Sequence, residues 1–208
     1  MKKRFFQSIE SSKKPIEIYR LFFLHALFLI LFTSQLKAQQ TASGTLYHVA
    51  SFGSDSLFRR DLDIWVPDGF PANMPYSVLY MHDGQMLFDS TSTWNHKEWM
   101  LDETLGRLIN EGSIKPIIVV GIHNGGISRH SDYFPLKPLS KLTPERKDSI
   151  IHLMRPDTVP LFHEFSIRSD RYLKFLIEEV KPYVDSNYST STDMKDTYIG
   201  GSSMGGLI

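Results

Sequence analysis

Cysteine is absent from all 208 residues of the sequence. Disulfides, thiolate metal ligands and a cysteine nucleophile are therefore excluded, and the fold must be stabilised by its packed core. Because a chain without cysteine is compatible with both reducing and oxidising compartments, this absence does not indicate where the protein resides.

The sequence also lacks an excess of charge of either sign. Lysine plus arginine and aspartate plus glutamate each number 23, so the formal net charge is zero. No sustained basic face is present to neutralise phosphates, and we therefore expect neither nucleic acid nor an anionic membrane surface as a partner. With 41% hydrophobic and 22% charged residues, the composition is typical of a globular protein.

Long apolar runs are missing except near the N-terminus, where residues 21–32 are apolar apart from His25. A basic leader precedes this run, and a polar stretch with the small residue Ala38 follows it, which is typical of a secretory signal peptide. The run is short for a membrane-spanning helix, which needs about 20 residues. We therefore predict that residues 1–38 are a signal peptide and that the protein is exported, periplasmic or extracellular, without a stable membrane partner after cleavage. A retained N-terminal anchor is the alternative.

Strand and helix patterns alternate along residues 39–208. Apolar, β-branched or alternating stretches predict strands at residues 44–52, 60–66, 76–81, 117–120 and 197–199. Residues 97–110 and 170–184 have the apolar spacing of helices, and Pro182 predicts a kink or an early end of the second helix. This order predicts an α/β fold with a mostly parallel sheet and helices on both of its faces.

Two stretches differ from the regular alternation of buried strands and helices. Residues 60–66 place Asp61 and Asp63 opposite an apolar face, which predicts a strand near the sheet edge with one side in water. Residues 137–167 interrupt the alternation with a charged segment, which Pro156 and Pro160 follow. We predict an insertion that covers the ligand crevice as a lid, and a peripheral surface excursion is the alternative.

Near the end of the sequence, residues 201–205 read Gly-Ser-Ser-Met-Gly and fit the pattern G-x-S-x-G. After a short apolar strand this pattern is typical of a nucleophile elbow, a sharp strand-to-helix turn that exposes one serine hydroxyl. Ser203 is therefore the predicted catalytic nucleophile, and a plain glycine-rich turn is the alternative. A phosphate loop fits poorly because no Lys-Ser or Lys-Thr follows the glycines, and the G-x-G-x-x-G spacing of a dinucleotide site is absent.

Four stretches in the same order resemble the esterase family of α/β-hydrolases that includes ferric-enterobactin esterases, feruloyl esterases, S-formylglutathione hydrolases and mycolyltransferases. The resemblance covers about residues 78–207. The stretches are residues 78–85 (Val-Leu-Tyr-Met-His-Asp-Gly-Gln) with Leu-Phe-Asp at 87–89; residues 119–122 (Val-Val-Gly-Ile) followed by Asn124, Arg129 and Tyr133; residues 175–183 (Phe-Leu-Ile-Glu-Glu-Val-Lys-Pro-Tyr) with Asp185 and Tyr188; and residues 200–207 (Gly-Gly-Ser-Ser-Met-Gly-Gly-Leu).

The resemblance implies an α/β-hydrolase fold and a serine esterase that forms an acyl-enzyme on Ser203. It implies an oxyanion hole made by the backbone N–H groups of Met204, directly after the nucleophile, and of Gln85, after the third strand. Loops that follow parallel strands meet at one edge of a sheet, so His82, Asp83 and His123 become candidates for the substrate pocket. The expected substrate is a small-molecule or saccharide-linked ester.

A cofactor and a metal ion are not expected. No two histidines have the i, i+4 spacing of a helical metal site, and His48, His96, His130, His152 and His163 read as surface or loop residues. His82 reads as a wall of the crevice. Arg129 and Tyr133 are expected to brace the loop after the fourth strand.

The catalytic partners of Ser203 raise a difficulty. In this fold the acid and the histidine follow the serine along the chain, whereas five residues follow Ser203 here. We therefore expect an N-terminal fragment of an esterase, truncated after the elbow and inactive by itself. The alternative is a non-catalytic, exported binding module for a sugar or siderophore, and acyl transfer to an acceptor other than water also stays open.

Overall fold

A computed structural model describes residues 41–55, 59–71 and 75–208. The predicted signal peptide, residues 1–38, lies outside the described residues. Gln39–Ile208 form one structural unit. Among the described helices, none combines the length and the apolar character needed to cross a membrane.

Five strands form a single open sheet in the described part of the chain. They are β1 (Thr45–Phe52), β2 (Arg60–Val66), β3 (Ser77–His82), β4 (Ile117–Ile122) and β5 (Thr197–Gly200), in the order β1-β2-β4-β3-β5. β3 pairs in parallel with both β4 and β5, whereas β2 is antiparallel to β1 and to β4. All strands except β2 therefore run in the same direction, which confirms the prediction of a mostly parallel sheet.

The helices lie between these strands. They are α1 (Leu101–Asn110), α2 (Arg129–Tyr133), α3 (Leu136–Leu139), α4 (Pro144–Ile151), α5 (Ser169–Phe175) and α6 (Lys181–Asn187), with a π-helical turn (Leu176–Val180) between α5 and α6. The first helix begins later than residue 97, the predicted start, because Met100 has the left-handed value φ = 52°. A helix cannot extend backwards through that conformation.

Helices cover both faces of the sheet, as predicted. On one face, α5, the π-helical turn and α6 pack on Ile64 of β2 and on Tyr80 and Val120 of its neighbours. On the opposite face, α1 packs on Trp65 and Val119. Burial of β4 from both sides explains its run of β-branched residues, because neither face of this strand meets water.

The prediction of a wet face on β2 is wrong at Asp63. Asp63 is completely buried, although it alternates with apolar residues as a solvent-facing residue would. The His48 and His123 side chains cover this face at Asp63, whereas Asp61 on the same face stays 43% exposed. The Asp63 carboxylate is instead hydrogen-bonded to His48 and His123, which satisfies it without solvent.

The prediction of an early helix end at Pro182 is also wrong, because helical structure continues to Asn187. Pro182 lies in the first turn of α6, where a missing N–H is tolerated. Just before it, the backbone changes to π-type hydrogen bonding, and the N–H of Lys181 donates to the carbonyl of Leu176. This local change allows the helix to pass the proline.

Residues 137–167, the predicted lid, contain the end of α3, all of α4 and a short 3₁₀ turn, His163–Phe165. The segment is attached to the domain, since Phe162 is fully buried and the backbone N–H of His163 donates to Ser131 Oγ at 2.8 Å. Its role as a lid stays a prediction.

Candidate active site

Three loops meet at the carboxyl edge of the parallel strands. Met81 of β3 lies opposite Gly121 of β4 and opposite Gly200 of β5. Because these strands are parallel and in register there, residues 82–85, 121–126 and 200–206 emerge side by side. The edge is the one where ligands bind in open α/β sheets.

The first component of the site is the turn after β5, which contains Ser203. This serine is exposed and has φ = 55°, a left-handed value that is strained for a residue with a side chain. The turn closes tightly, because a β-carbon on Gly201 would overlap the carbonyl oxygen of Gly205. The sequence therefore folds into a strand-to-helix bend that exposes a strained serine, the geometry of a nucleophile elbow.

The second component is the turn after β3, where Asp83 also has a left-handed conformation, with φ = 59° and ψ = 44°. A 3₁₀ turn, Gly84–Met86, follows. A β-carbon on Gly84 would lie 2.6 Å from the carbonyl oxygen of Gly121, so only glycine allows this turn to approach β4 so closely.

The two turns lie against each other. A β-carbon on Gly205 would be 3.1 Å from Cβ of His82 and 3.3 Å from Oδ2 of Asp83. Among the described residues, no acceptor is hydrogen-bonded to the backbone N–H of Gln85 or of Met204. Two donors are thus available at the junction of the turns, although their catalytic role stays a prediction.

Buried hydrogen bonds hold the Asp83 turn. Arg129 forms a two-pronged ion pair with the carboxylate, with Nε–Oδ1 and Nη2–Oδ2 distances of 2.7 Å. Asn124 Nδ2 donates to Oδ1 at 2.6 Å, and the Asp83 backbone N–H donates to the Tyr133 hydroxyl at 3.3 Å. The hydrogen bonds to Asp83 raise the pKa of Arg129. Arg129 and Tyr133 thus support the loop after the third strand, although they belong to the chain that follows the fourth.

His82 lies beneath this turn and is 2% exposed. Its Nδ1 is 2.7 Å from the hydroxyl of Tyr172, and its ring packs against those of Tyr133 and Tyr172, which also contact each other. Burial lowers the pKa of His82 to about 4; the positive charge of Arg129 acts in the same direction and Asp83 opposes it. His82 is therefore neutral near pH 7.

His123 follows β4 at the same edge but faces another partner. Its Nε2 is 2.6 Å from Oδ2 of Asp63, and Nδ1 of His48 is 2.7 Å from Oδ1 of that carboxylate. Sequence spacing could not reveal this grouping, because His48 and Asp63 lie on two strands, His123 lies in the loop after a third, and they meet only through the register of the sheet. Whether His82, Asp83 and His123 contact a substrate stays a prediction.

The Ser203 hydroxyl has no hydrogen-bond partner among the residues that the structure describes. A base that activates a serine must lie within hydrogen-bond reach of its hydroxyl. Neither His82 nor His123 is hydrogen-bonded to Ser203 in the described part of the chain; they are hydrogen-bonded to Tyr172 and Asp63, respectively.

The sequence matches a known protein family. The sequence model of a protein family described as "Putative esterase" matches residues 58–149 and 154–208. The match includes both turns and four of the five strands.

Solved structures show the same fold. The BES protein from Bacillus cereus is 19% identical, with a TM-score of 0.53 over 81% of this chain and 56% of that protein. An IroE-like serine hydrolase from Shewanella oneidensis is 23% identical, with a TM-score of 0.51 over 79% of this chain and 44% of its own. The enterobactin hydrolase IroE, in a complex with DFP, is 21% identical, with a TM-score of 0.50 over 81% of this chain and 57% of its own. The chain thus spans about half the length of these matched structures.

Proposed function

The chain belongs to this esterase family, and on that premise we propose that the intact protein hydrolyses carboxylic esters through an acyl-enzyme on Ser203. The observation that carries the proposal is the exposed serine at φ = 55° between Gly201 and Gly205. Strain of this kind persists in a protein only where surrounding structure maintains it, and it is concentrated at functional sites.

In the proposed reaction, Ser203 Oγ attacks the ester carbonyl carbon and transfers its proton to a general base. The carbonyl oxygen becomes an oxyanion, which the backbone N–H groups of Met204 and Gln85 stabilise. Each such donor contributes about 3 kcal/mol to transition-state stabilisation. When the intermediate collapses, the C–O bond to the alcohol breaks and the protonated base gives its proton to the leaving alcohol. Water then attacks the acyl-serine with the same base, which releases the acid and restores the Ser203 hydroxyl.

The general base is assigned to neither described histidine at this edge. His82 is buried and its pKa of about 4 makes it a weak base at neutral pH. His123 is hydrogen-bonded to Asp63, on the far side of β4 from β3. We propose instead that the acid and the histidine follow Ser203 in the intact protein, in the order typical of this fold, and that these 208 residues alone turn over esters poorly.

Export forms part of the proposal, supported by the basic leader and apolar run within residues 1–38. The substrate would then be an ester met outside the cytoplasm, of small-molecule or saccharide-linked type. Mass spectrometry of the protein recovered from its native cells tests this step. A mature N-terminus at Gln39 is expected, and a retained Met1 would contradict it.

Hydrolysis of p-nitrophenyl acetate by the intact protein tests the reaction. Ser203→Ala should reduce kcat/KM by about 10⁴-fold or more, as expected for loss of a nucleophile. Ser202→Ala is the matched control, since this neighbouring serine is also exposed, and its activity should stay within about tenfold of the wild type. Activity that survives Ser203→Ala would refute the assignment. A folded protein without esterase activity would favour a binding module.

A further inference from the structure

A second group of polar side chains, outside the Ser203 site, lies on β1, β2 and the end of β4. His48, Asp63 and His123 each contribute one ligand atom, and these atoms lie within 4.8 Å of one another. We propose that they bind one divalent transition-metal ion of the Zn²⁺ class. The proposal does not depend on the esterase activity.

The sheet register creates this grouping. His48 lies directly opposite Asp63, and Asp63 lies opposite Gly121, two residues before His123. Side chains of directly opposite residues project from the same face of a sheet. The backbone N–H of His123 also donates to the carbonyl of Asp61 at 3.0 Å, which fixes the start of this loop against β2. Two of the ligands are therefore positioned by strands, which hold a site more accurately than loops do, and His123 is the first residue after a strand, with its backbone hydrogen-bonded to β2.

The ligand chemistry favours a transition-metal ion that is intermediate between hard and soft. Two imidazoles and one carboxylate suit Zn²⁺ and similar ions, whereas Mg²⁺ and Ca²⁺ prefer oxygen ligands. Three protein ligands leave a fourth tetrahedral position for water. That position can reach solvent, because the His48 and His123 side chains are 48% and 20% exposed.

The distances are compatible with an ion. Bonds of about 2.1 Å in a tetrahedron separate neighbouring ligand atoms by about 3.4 Å. The two N–O distances are now 2.7 and 2.6 Å. Each imidazole would therefore have to move by less than about 1 Å. The exposed ring of His48 can do so without disturbing the core.

The charge of the Asp63 carboxylate also favours a bound cation. The Asp63 carboxylate is fully buried, and in the described portion of the chain its only ion-pair partners are His48 and His123. A buried carboxylate is costly unless it is paired. A divalent ion would neutralise it. The imidazole protons would then reside on the other ring nitrogens, and Nε2 of His48 is 3.8 Å from Oδ2 of Asp61, within ion-pair range but longer than a hydrogen bond.

Zinc titration tests the proposal in the intact protein, purified without a polyhistidine tag and stripped with a chelator. Calorimetry should show one Zn²⁺ per chain, with Kd on the order of 1 μM or tighter. Substituted Co²⁺ should give the visible absorption bands of a tetrahedral site. His48→Gln and His123→Gln should each weaken binding by at least about tenfold. Asp63→Asn should do the same, provided that circular dichroism shows a folded protein.

His152→Gln is the matched control. His152 is exposed and lies 3.2 Å from the Asp148 carboxylate, which gives a His–Asp pair without a second imidazole. This variant should bind Zn²⁺ as the wild type does. Absence of Zn²⁺ binding by the wild type would overturn the proposal and leave a hydrogen-bonded His–Asp–His bridge. Undiminished binding by both folded variants, His48→Gln and His123→Gln, would overturn it equally.

Discussion

The two turns that meet at the sheet edge are held in their strained conformations by different means. Asp83 is 4% exposed, and its carboxylate is bonded to Arg129 and Asn124. Ser203 has a similar positive φ but is exposed, and its turn depends on the close approach of Gly201 to Gly205 and on a hydrogen bond from Gly205 N–H to the Ser202 carbonyl. One turn is part of the core, and the other lies at its surface.

The difference in burial between the two turns matches two requirements of the proposed catalysis. An oxyanion-hole donor must stay fixed while charge develops, because its contribution depends on preorganisation. The Arg129–Asp83 ion pair and close backbone packing would supply that rigidity to the turn of Gln85, if Gln85 has the proposed role. A nucleophile, the role proposed for Ser203, must instead be reachable by substrate. We therefore expect substitutions at the Asp83 turn to affect folding, and substitutions at the elbow to affect chemistry.

Gly84→Ala should have the largest effect on stability. Its β-carbon would lie 2.6 Å from the Gly121 carbonyl oxygen, inside the packed sheet, so strand and turn must separate. We expect the free energy of unfolding of the intact protein to fall by about 3–5 kcal/mol, measured by urea denaturation. Gly126→Ala is the comparison for strain without overlap, because Gly126 has φ = 59°, a value that Gly84 does not share, and nothing lies within 4 Å of the added carbon; it should cost about 1 kcal/mol. Equal losses of stability in Gly84→Ala and Gly126→Ala would contradict the explanation that close packing at Gly84 excludes a β-carbon.

Arg129→Ala should have the next largest effect. It leaves the Asp83 carboxylate buried without its cation, and Arg129 is itself 24% exposed. The expected cost is about 3 kcal/mol, at the lower end of values for a broken buried pair. Arg129→Lys keeps the charge but loses the two-pronged geometry, so it should recover part of the loss. If urea denaturation shows less than about 0.5 kcal/mol for Arg129→Ala, the ion pair does not stabilise the turn.

The pH dependence of stability should reveal the lowered pKa of His82. Its pKa is lowered from 6.5 to about 4 in the folded protein, so between these values the unfolded chain binds a proton that the folded chain does not. Stability should thus fall as the pH drops from 6.5 towards 4, by at most about 3 kcal/mol. Above pH 6.5 this residue should contribute no pH dependence. Urea denaturation of His82→Gln should show a shallower fall over that window, and identical slopes would argue against the low pKa.

Gly201→Ala should have the smallest effect on stability. The added carbon would overlap the Gly205 carbonyl oxygen, yet the exposed turn can relax without opening the core. The expected cost is below about 1 kcal/mol. Esterase activity should nevertheless fall by about 100-fold, because a small displacement of the nucleophile is enough to do so. A loss of stability as large as that of Gly84→Ala would remove the distinction between the turns.

Features with a local cause could be predicted from the sequence. The strand patterns and the glycines around Ser203 reflect period, steric space and turn chemistry within a few residues. The parallel arrangement of β3, β4 and β5 followed from their alternation with helices. These features were enough to indicate the fold and the edge where the loops meet.

Features that depend on register between distant strands could not be predicted. Asp63 alternates with apolar residues as an exposed residue would, but the register of β1, β2 and β4 places His48 and His123 over it. Likewise, no local pattern indicates that Arg129 reaches back to Asp83 across 46 positions. The effect of Pro182 was misjudged for a different reason, since a π-helical turn accommodates it.

The most direct test of Ser203 as the nucleophile is covalent labelling. The intact protein is treated with a fluorophosphonate probe at neutral pH, and the adduct is mapped by peptide mass spectrometry. The account predicts one adduct on Ser203, which is lost in Ser203→Ala and retained in Ser202→Ala. A folded protein that takes no label on Ser203, or that labels equally well after Ser203→Ala, would contradict it.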